Sequence, residues 1–510
     1  MNLAEMIEDH PADSVALISR GSQTSYGELR EQSAKLAGGL VGLGLQPGER
    51  VALIANNNWY FVAGYLAILR AGLVAVPLNP QNPTVALASE LATVGASAVI
   101  IGPAARNSMD SLDRSSTPDL VHFVGAGFVP EGGVALDDLL SSEPLDMVER
   151  ADDDLAVLAF TSGTAGRPRA AMLTHGDLHI NLRQILATAP DFAQNSDDAS
   201  FGVLPMFHIF GLNVVLGLSL FVGASVVLIE RFDPMSALEA IGRHKITIVA
   251  GPPTMWAAFA GLHGVGAEYM QSVKIAVSGA AKLPAEVAHA IQDRFAIELR
   301  EGYGLTEASP AVTMPTGTEA PLGSVGVVLP GIDVRLVDLD GNDVLVGDSG
   351  ELWVRGPNVF PGYWGDDDGT GRVIDSEGWL HTGDVAVVDD EAFLYLVDRI
   401  KDLIIVSGFN VFPAEVEEVI VEHPAVEACV VVGVPHPYTG EAVKAYVVAA
   451  DGVSVEEDDI IAFCGGRLAR YKCPNKIWFV DDIPQGLGGK VLRYALKDEA
   501  IQESAPQGSD

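Results

Sequence analysis

Residues 158–175, LAFTSGTAGRPRAAMLTH, gather the residue types best suited to holding a polyphosphate. The apolar run Leu155–Phe160 predicts a buried strand. It ends at Thr161, Ser162, Gly163, Thr164, Ala165 and Gly166, small residues that let backbone amides face a ligand. Amides arranged in this way make an anion cradle. Three hydroxyls add donors, Arg167 and Arg169 add fixed positive charge, and Pro168 stiffens the exit before the apolar run Ala170–Leu173. The same composition also suits an ordinary turn. Neither G-x-x-x-x-G-K-[ST] nor G-x-G-x-x-G occurs in this stretch, so the two common phosphate fingerprints do not decide between the readings.

Three more places carry chemistry. His208 is a single imidazole among large apolar residues in FGVLPMFHIFGLNVVLGLSLFVGAS (201–225), a setting that suits a hydrogen-bonded core histidine as well as a catalytic one. The string EGYGLTE (301–307) combines a ring able to stack on a base (Tyr303), a flexible Gly304, a hydroxyl (Thr306) and a carboxylate (Glu307) able to hold a hard cation such as Mg2+. In PQGLGGKVLRYALK (484–497), two glycines before Lys490 predict a mobile loop bearing one ammonium, with Val491, Leu492 and Tyr494 anchoring the helix behind it. A solvated lysine is the plain alternative.

The elements that must position these groups alternate. VALIS (15–19), VALIA (51–55) and VAVPL (74–78) predict strands. Between them, 24–45 predicts a capped helix with Leu29, Ala34, Leu36, Leu40 and Leu43 at helical spacing, and Trp59–Ala71 a second. Short connections between alternating strands and helices point to a parallel sheet with helices on its faces. ITIVAGPPTMW (246–256) and VKIAVSGAAKLP (273–284) read as strands ending in Gly/Pro turns, and ligands bind beyond such carboxyl ends. Met255 and Trp256 are there either pocket walls or core. Leu352 and Val354 in GELWVRGPNVFPGYW (350–364) alternate like a strand of a small barrel. The segment 103–145, rich in Ser, Asp, Gly and Pro, carries no catalytic signal. On length alone Phe207–Ile229 fits a membrane span, but His208, Asn213 and several glycines favour a buried helix followed by a strand. Beyond 402, Ala414–Val421 predicts a helix, and Cys429–Val432 and Val443–Val448 predict strands.

A chain of 510 residues, 48% hydrophobic and 19% charged, is long enough for several domains. Its formal net charge of −37 argues against nucleic-acid or anionic-membrane partners, which it would repel. Cys429, Cys464 and Cys473 are too few and scattered for a disulfide framework or a zinc site, which suits a cytoplasmic location. The N-terminus MNLAEMIEDHPADS lacks the basic start and apolar core of a signal peptide.

Taken in order, the segments 161–169, 205–211 (P-x-F-H-x-x-G), 303–307, 378–384 (GWLHTGD), 397–410 and 484–493 resemble those of the adenylate-forming superfamily, which includes acyl-CoA synthetases, luciferases and peptide-synthetase adenylation domains. The phosphate loop departs from the family pattern at Arg169 for the usual Lys and Ala170 for the usual Gly, which keeps the charge and stiffens the loop. The Thr174-His175 pair after it also matches. The resemblance implies an α/β fold: a large multi-layer N-terminal domain of mixed and parallel sheets flanked by helices, with a small distorted β-barrel (1–397), a hinge (398–401), and a small mobile α+β C-terminal domain (402–510).

It also implies roles. Thr161, Ser162, Gly163, Thr164, Gly166 and Arg169 would hold ATP phosphates. Gly279, Ala280 and Ala281 would lie along the adenine and the acyl chain, Gly302, Tyr303 and Gly304 would also bind ATP, and Asp384 and Arg399 would hold the ribose. His208 would sit beside the acid's carboxylate, where amino-acid-activating relatives carry an Asp, so a substrate without an α-amine is favoured. Thr306, Glu307 and Lys490 would serve adenylation, with Mg2+ on Glu307. Lys401 would be the hinge, and Ser407, Gly408 and Phe409 would approach the thiol arm of CoA. The basic cluster Arg467, Arg470, Lys472 and Lys476 either meets CoA phosphates or is a solvated face.

The implied activity is an AMP-forming acid–CoA ligase acting on a fatty or other apolar carboxylic acid, with ATP, Mg2+ and CoA. No stable membrane insertion is expected, and a homodimer is one candidate assembly. Two other readings stay open: an acyl-AMP ligase loading a carrier-protein thiol, and a non-catalytic nucleotide-binding paralogue prompted by Arg169 and Ala170.

Overall fold

The structure, a computed structural model, describes residues 1–161, 168–188, 193–315, 320–338, 340–399, 402–406, 409–436, 439–450, 452–484, 493, 496–497 and 500. It divides into two compact units, Met1–Asp333 with Val354–Leu380, and Val334–Trp353 with His381–Asp510. The fold is mixed α/β with several sheets in the large unit and a separate small one, the class expected from the sequence.

One sheet of the large unit has eight strands in the order 362–363, 169–174, 155–161, 74–78, 50–54, 98–101, 122–125, 134–135. Arg50–Ile54, Val74–Leu78 and Ala98–Ile101 run parallel and are almost wholly buried. Burial on both faces is why they read as unbroken apolar runs and not as alternation. The helix Trp59–Arg70 is buried from Tyr60 to Leu69 and is accordingly apolar all round. The uninformative stretch 103–145 supplies this sheet's last two short strands.

The other large sheet runs 300–301, 275–278, 248–251, 199–202, 225–228, 15–19, 22–25, parallel throughout except at its final pair. Here the helix expected from residue 24 begins at Tyr26 instead. Ser22–Ser25 is a strand, and Ser25 stops the helix by capping it, its hydroxyl accepting from the Glu28 amide while the Glu28 carboxylate accepts from the Ser25 amide. The apolar stretch after His208 folds as a π-helix (Phe210–Gly217), a short α-helix (Leu218–Val222) and a strand (Ser225–Leu228). No helix among the described residues is long and apolar enough to cross a membrane.

Met255 and Trp256 are not pocket walls. They lie on the helix Pro253–Gly261, 4% and 0% exposed, in a core shared with Phe259 and Ile291, and the Trp256 indole donates to the Val277 carbonyl at 3.3 Å. A large ring with its one polar atom satisfied belongs in a core.

A four-stranded sheet, whose residues 334–353 and 381–399 belong to the second unit, runs 333–337, 350–355, 380–388, 394–399. Leu352 and Val354 are fully buried there, as their alternation predicts. A five-stranded sheet joins 409–411, 404–406, 440–449 and 426–436, with 477–479 pairing parallel to 440–449. The helices Pro413–Val421 and Glu457–Gly465 bury Val416, Ile420, Ile460 and Cys464 in one core with strand residues such as Val431 and Val443.

Candidate active site

Leu155–Thr161 and Arg169–Thr174 are antiparallel strands whose last pair is Thr161 with Arg169. Ser162, Gly163, Thr164 and Gly166 lie outside the described residues, as do Lys401, Ser407, Gly408 and Lys490. Arg169 is described. Its Nε lies 3.0 Å from Asp366 Oδ2, and its guanidinium sits 5.2 Å from the centre of the Tyr363 ring. Ala170 is buried, and its carbonyl accepts from the Trp364 amide at 2.8 Å. Thr174 and His175 turn out to be architecture. Thr174 caps the helix His175–Thr188 in a reciprocal pair with Asp177, and buried His175 accepts from the Leu3 amide through Nδ1. Burial pushes the His175 pKa down to about 4, so the ring is neutral.

Gly251, Gly279 and Gly302 stand at the carboxyl ends of three adjacent parallel strands. The Gly279 amide donates to the Gly251 carbonyl at 3.3 Å, and the Gly302 amide to the Ser278 carbonyl at 3.0 Å. Ala280 and Ala281 are exposed on that rim, and Ala280 holds φ +70°, a left-handed conformation costly for a residue with a Cβ. Tyr303 is 9% exposed. Gly304 is not there for flexibility: a Cβ on it would lie 2.2 Å from the Pro310 carbonyl oxygen, so close approach of the next strand demands glycine.

Thr306–Ala308 is a single 3-10 turn that presents half-buried Thr306 and Glu307. The Tyr363 hydroxyl donates to Glu307 Oε1 at 2.7 Å, and the Phe360 amide donates to the Glu307 carbonyl at 2.9 Å. Burial, together with the adjacent Glu307 charge, raises the Tyr363 pKa far above its ordinary value, so its proton stays in place as the donor. Behind this turn, three buried asparagines donate to consecutive parts of its exit: Asn358 to the Ala308 carbonyl (2.7 Å), Asn213 to that of Ser309 (2.8 Å) and Asn181 to that of Ala311 (2.8 Å).

His208 is exposed, and its ring centre lies 5.3 Å from that of Phe207. The surrounding protein depresses its pKa and keeps the imidazole neutral near pH 7. Its amide donates to the Pro205 carbonyl at 3.0 Å, and a Cβ on Gly211 would sit 2.4 Å from that same carbonyl oxygen. That clash explains the glycine three residues after the histidine. Phe210 lies against the backbone of Gly279, and Leu204, Val215, Ala250 and Val277 form an apolar cluster around it.

In the second unit, Asp384 and Arg399 face each other across the antiparallel strands Leu380–Val388 and Leu394–Arg399. Asp384 is buried. For Arg399, and for Phe409 in the strand Phe409–Val411, the described structure is the backbone. Arg493, the last residue of the segment 484–493, donates to the Val431 carbonyl at 3.0 Å and pairs with Glu417 at 2.7 Å. Of the basic cluster, Lys472 pairs with Glu415 (2.6 Å), Lys476 with Glu457 (2.6 Å) and Arg467 with Glu422 (3.6 Å), which favours the solvated-face reading.

The sequence reading missed Tyr363, Asp366 and the asparagine trio. Tyr363 lay in a quoted segment, PGYW, but 56 residues from Glu307, and nothing local marks so distant a partner.

A mixed α/β chain whose parallel strands end in a glycine rim, with a Thr-Glu turn nearby in sequence, has the features of a nucleotide-binding enzyme. The AMP-binding enzyme family matches residues 3–364, and the AMP-binding enzyme C-terminal domain matches 415–490. The chain therefore belongs to the AMP-binding enzyme family, and it is an AMP-forming acid–thiol ligase of the acyl-CoA synthetase kind. It is 38% identical over 479 residues to a feruloyl-CoA synthase of an Amycolatopsis species, covering 94% of each chain. It is 35% identical over 536 residues to a long-chain-fatty-acid–CoA ligase of Yersinia pestis, covering 98% of this chain and 95% of that one. A crystal structure of ATP-bound MatB from Rhodopseudomonas palustris superposes with a TM-score of 0.90 at 32% identity, covering 98% of both chains.

Proposed function

We propose that this enzyme joins CoA to a carboxylic acid with an apolar body, aliphatic or aromatic, in two half reactions. The acid's carboxylate oxygen attacks the α-phosphate of ATP and pyrophosphate leaves, giving an acyl-adenylate. The CoA thiolate then attacks the acyl carbonyl and AMP leaves, giving the thioester. The observation that supports the acid's class is exposed His208, two residues before Phe210 and its apolar neighbours. A neutral imidazole can offer a carboxylate one hydrogen bond, and the apolar cluster beside Phe210 suits an apolar body. The names of the two relatives, one for an aromatic acid and one for long chains, fall within that class.

In this reading Thr161, Ser162, Gly163, Thr164, Gly166 and Arg169 hold the phosphates. The rim Gly279, Ala280, Ala281, Gly302, Tyr303 and Gly304 takes the adenine. Asp384 and Arg399 hold the ribose, and Ser407, Gly408 and Phe409 approach the thiol arm. Thr306 and Lys490 offset charge as two anions meet. Glu307 suits Mg2+, because that ion keeps most of its shell as water and phosphate oxygens and needs only one or two protein carboxylates. No cluster of three His, Cys, Asp or Glu residues among the described residues offers a full cage. Bound there, the ion would screen phosphate charge.

Mass spectrometry of products from ATP, Mg2+ and a panel of short, medium, long and aromatic acids, with and without CoA, tests the proposal. A CoA thioester from apolar acids is expected. Adenylate that accumulates despite CoA, or turnover of charged short acids alone, would overturn it.

A further inference from the structure

We infer that Tyr363 is a positioning residue for adenylation, holding the Glu307 carboxylate in place from the edge strand beside Arg169–Thr174. The inference rests on the adenylating reading above and adds a residue to it.

Tyr363 is fixed before it touches Glu307. Its two-residue strand, Gly362–Tyr363, pairs antiparallel with Arg169–Thr174, setting Tyr363 opposite Ala171 and Gly362 opposite Met172. The Trp364 amide adds a bond to the Ala170 carbonyl, the Tyr363 amide donates to Thr370 Oγ1 at 2.9 Å, and the ring packs edge-on against Phe360 at 4.9 Å. From that anchored ring the hydroxyl reaches Glu307 Oε1 at 2.7 Å. One face of the ring carries the Arg169 guanidinium, which Asp366 holds from its other side. A single buried ring thus contacts both the carboxylate offered to a cation and the arginine offered to phosphate. The Phe360 amide also fixes the Glu307 backbone, so the segment 360–366 sets both ends of that residue. A carboxylate held by one hydrogen bond pays less entropy when it meets a cation than one free to rotate.

Tyr363→Phe removes the hydroxyl and keeps the ring under Arg169. Calorimetric titration of ATP across a series of Mg2+ concentrations should show the half-saturating Mg2+ raised by about tenfold, the order expected for a lost hydrogen bond to a charged group. The Mg2+ dependence of pyrophosphate release should shift in parallel, while thioester formation from supplied acyl-adenylate should keep its wild-type rate. An unchanged Mg2+ dependence of ATP binding would overturn the role. So would an equal fall of both half reactions, which marks general damage. A wild type that binds no ATP at any Mg2+ concentration would instead sink the adenylating reading, and the Tyr363 role with it.

Discussion

Glu301 closes the short strand Arg300–Glu301 with its side chain buried, and burial pushes its carboxyl from an ordinary 4.5 up to about 7, partly countered by the Leu283 amide and by Lys282. A raised carboxyl pKa means that between those values the unfolded chain is ionised while the native chain keeps its proton. Stability therefore falls as pH rises from 4.5 to 7, by on the order of 3 kcal/mol once the native carboxyl ionises. Glu301→Gln keeps an acceptor for the Leu283 amide and abolishes the titration. Its urea midpoint should match wild type near pH 5 and exceed it at pH 8; equal midpoints at both values would rule out the buried-carboxyl account. Residue chemistry was legible where the partner is close in sequence, as at the cap of the helix that begins at Tyr26. It was not legible where the partner is a distant side chain: Asp366 stands almost two hundred residues from Arg169, and the sequence marks neither as the other's mate.

The turn Thr306–Ala308 makes few bonds of its own, so the elements behind it decide where Glu307 points. Asn213 is the clearest of these supports. From the π-helix Phe210–Gly217 it donates to Ser309 and, at 3.2 Å, to Leu178 on the helix His175–Thr188. Asn213→Leu would take that donor from the Ser309 carbonyl, at about 1–3 kcal/mol. Thermal unfolding should show the loss, and adenylation should fall more than thioester formation from supplied acyl-adenylate; equal losses would remove the positioning argument. Most elements were readable because burial writes itself into composition. The parallel strands near 50–54 and 74–78 are unbroken apolar runs, and the hairpin 155–174 is two such runs around a polar loop. The π-helix was not readable, because apolar residues on every side erase periodicity, and neither was the strand Ser22–Ser25, whose polar residues lie at a sheet edge beside a capping serine.

At the scale of the chain, we propose that the two half reactions use different arrangements of 1–397 and 402–510, related by rotation about Lys401. The compact units group 381–397 with the residues that follow, but static grouping and a pivot are separate properties, so kinetics must decide. Lys490→Ala removes the ammonium proposed to offset phosphate charge and should slow adenylation by about a hundredfold or more, as loss of a transition-state donor does. It should leave thioester formation from supplied acyl-adenylate intact. Lys401→Pro fixes φ at the pivot and should give the opposite pattern, with pyrophosphate release near wild type and thioester formation impaired. Lys401→Asp frees the backbone again and should restore both steps, which separates a pivot effect from loss of the lysine charge. Stopped-flow measurement of each half reaction in the three variants checks the scheme. If Lys401→Pro transferred the acyl group at the wild-type rate, the two steps would share one arrangement of the chain and the hinge would have no role.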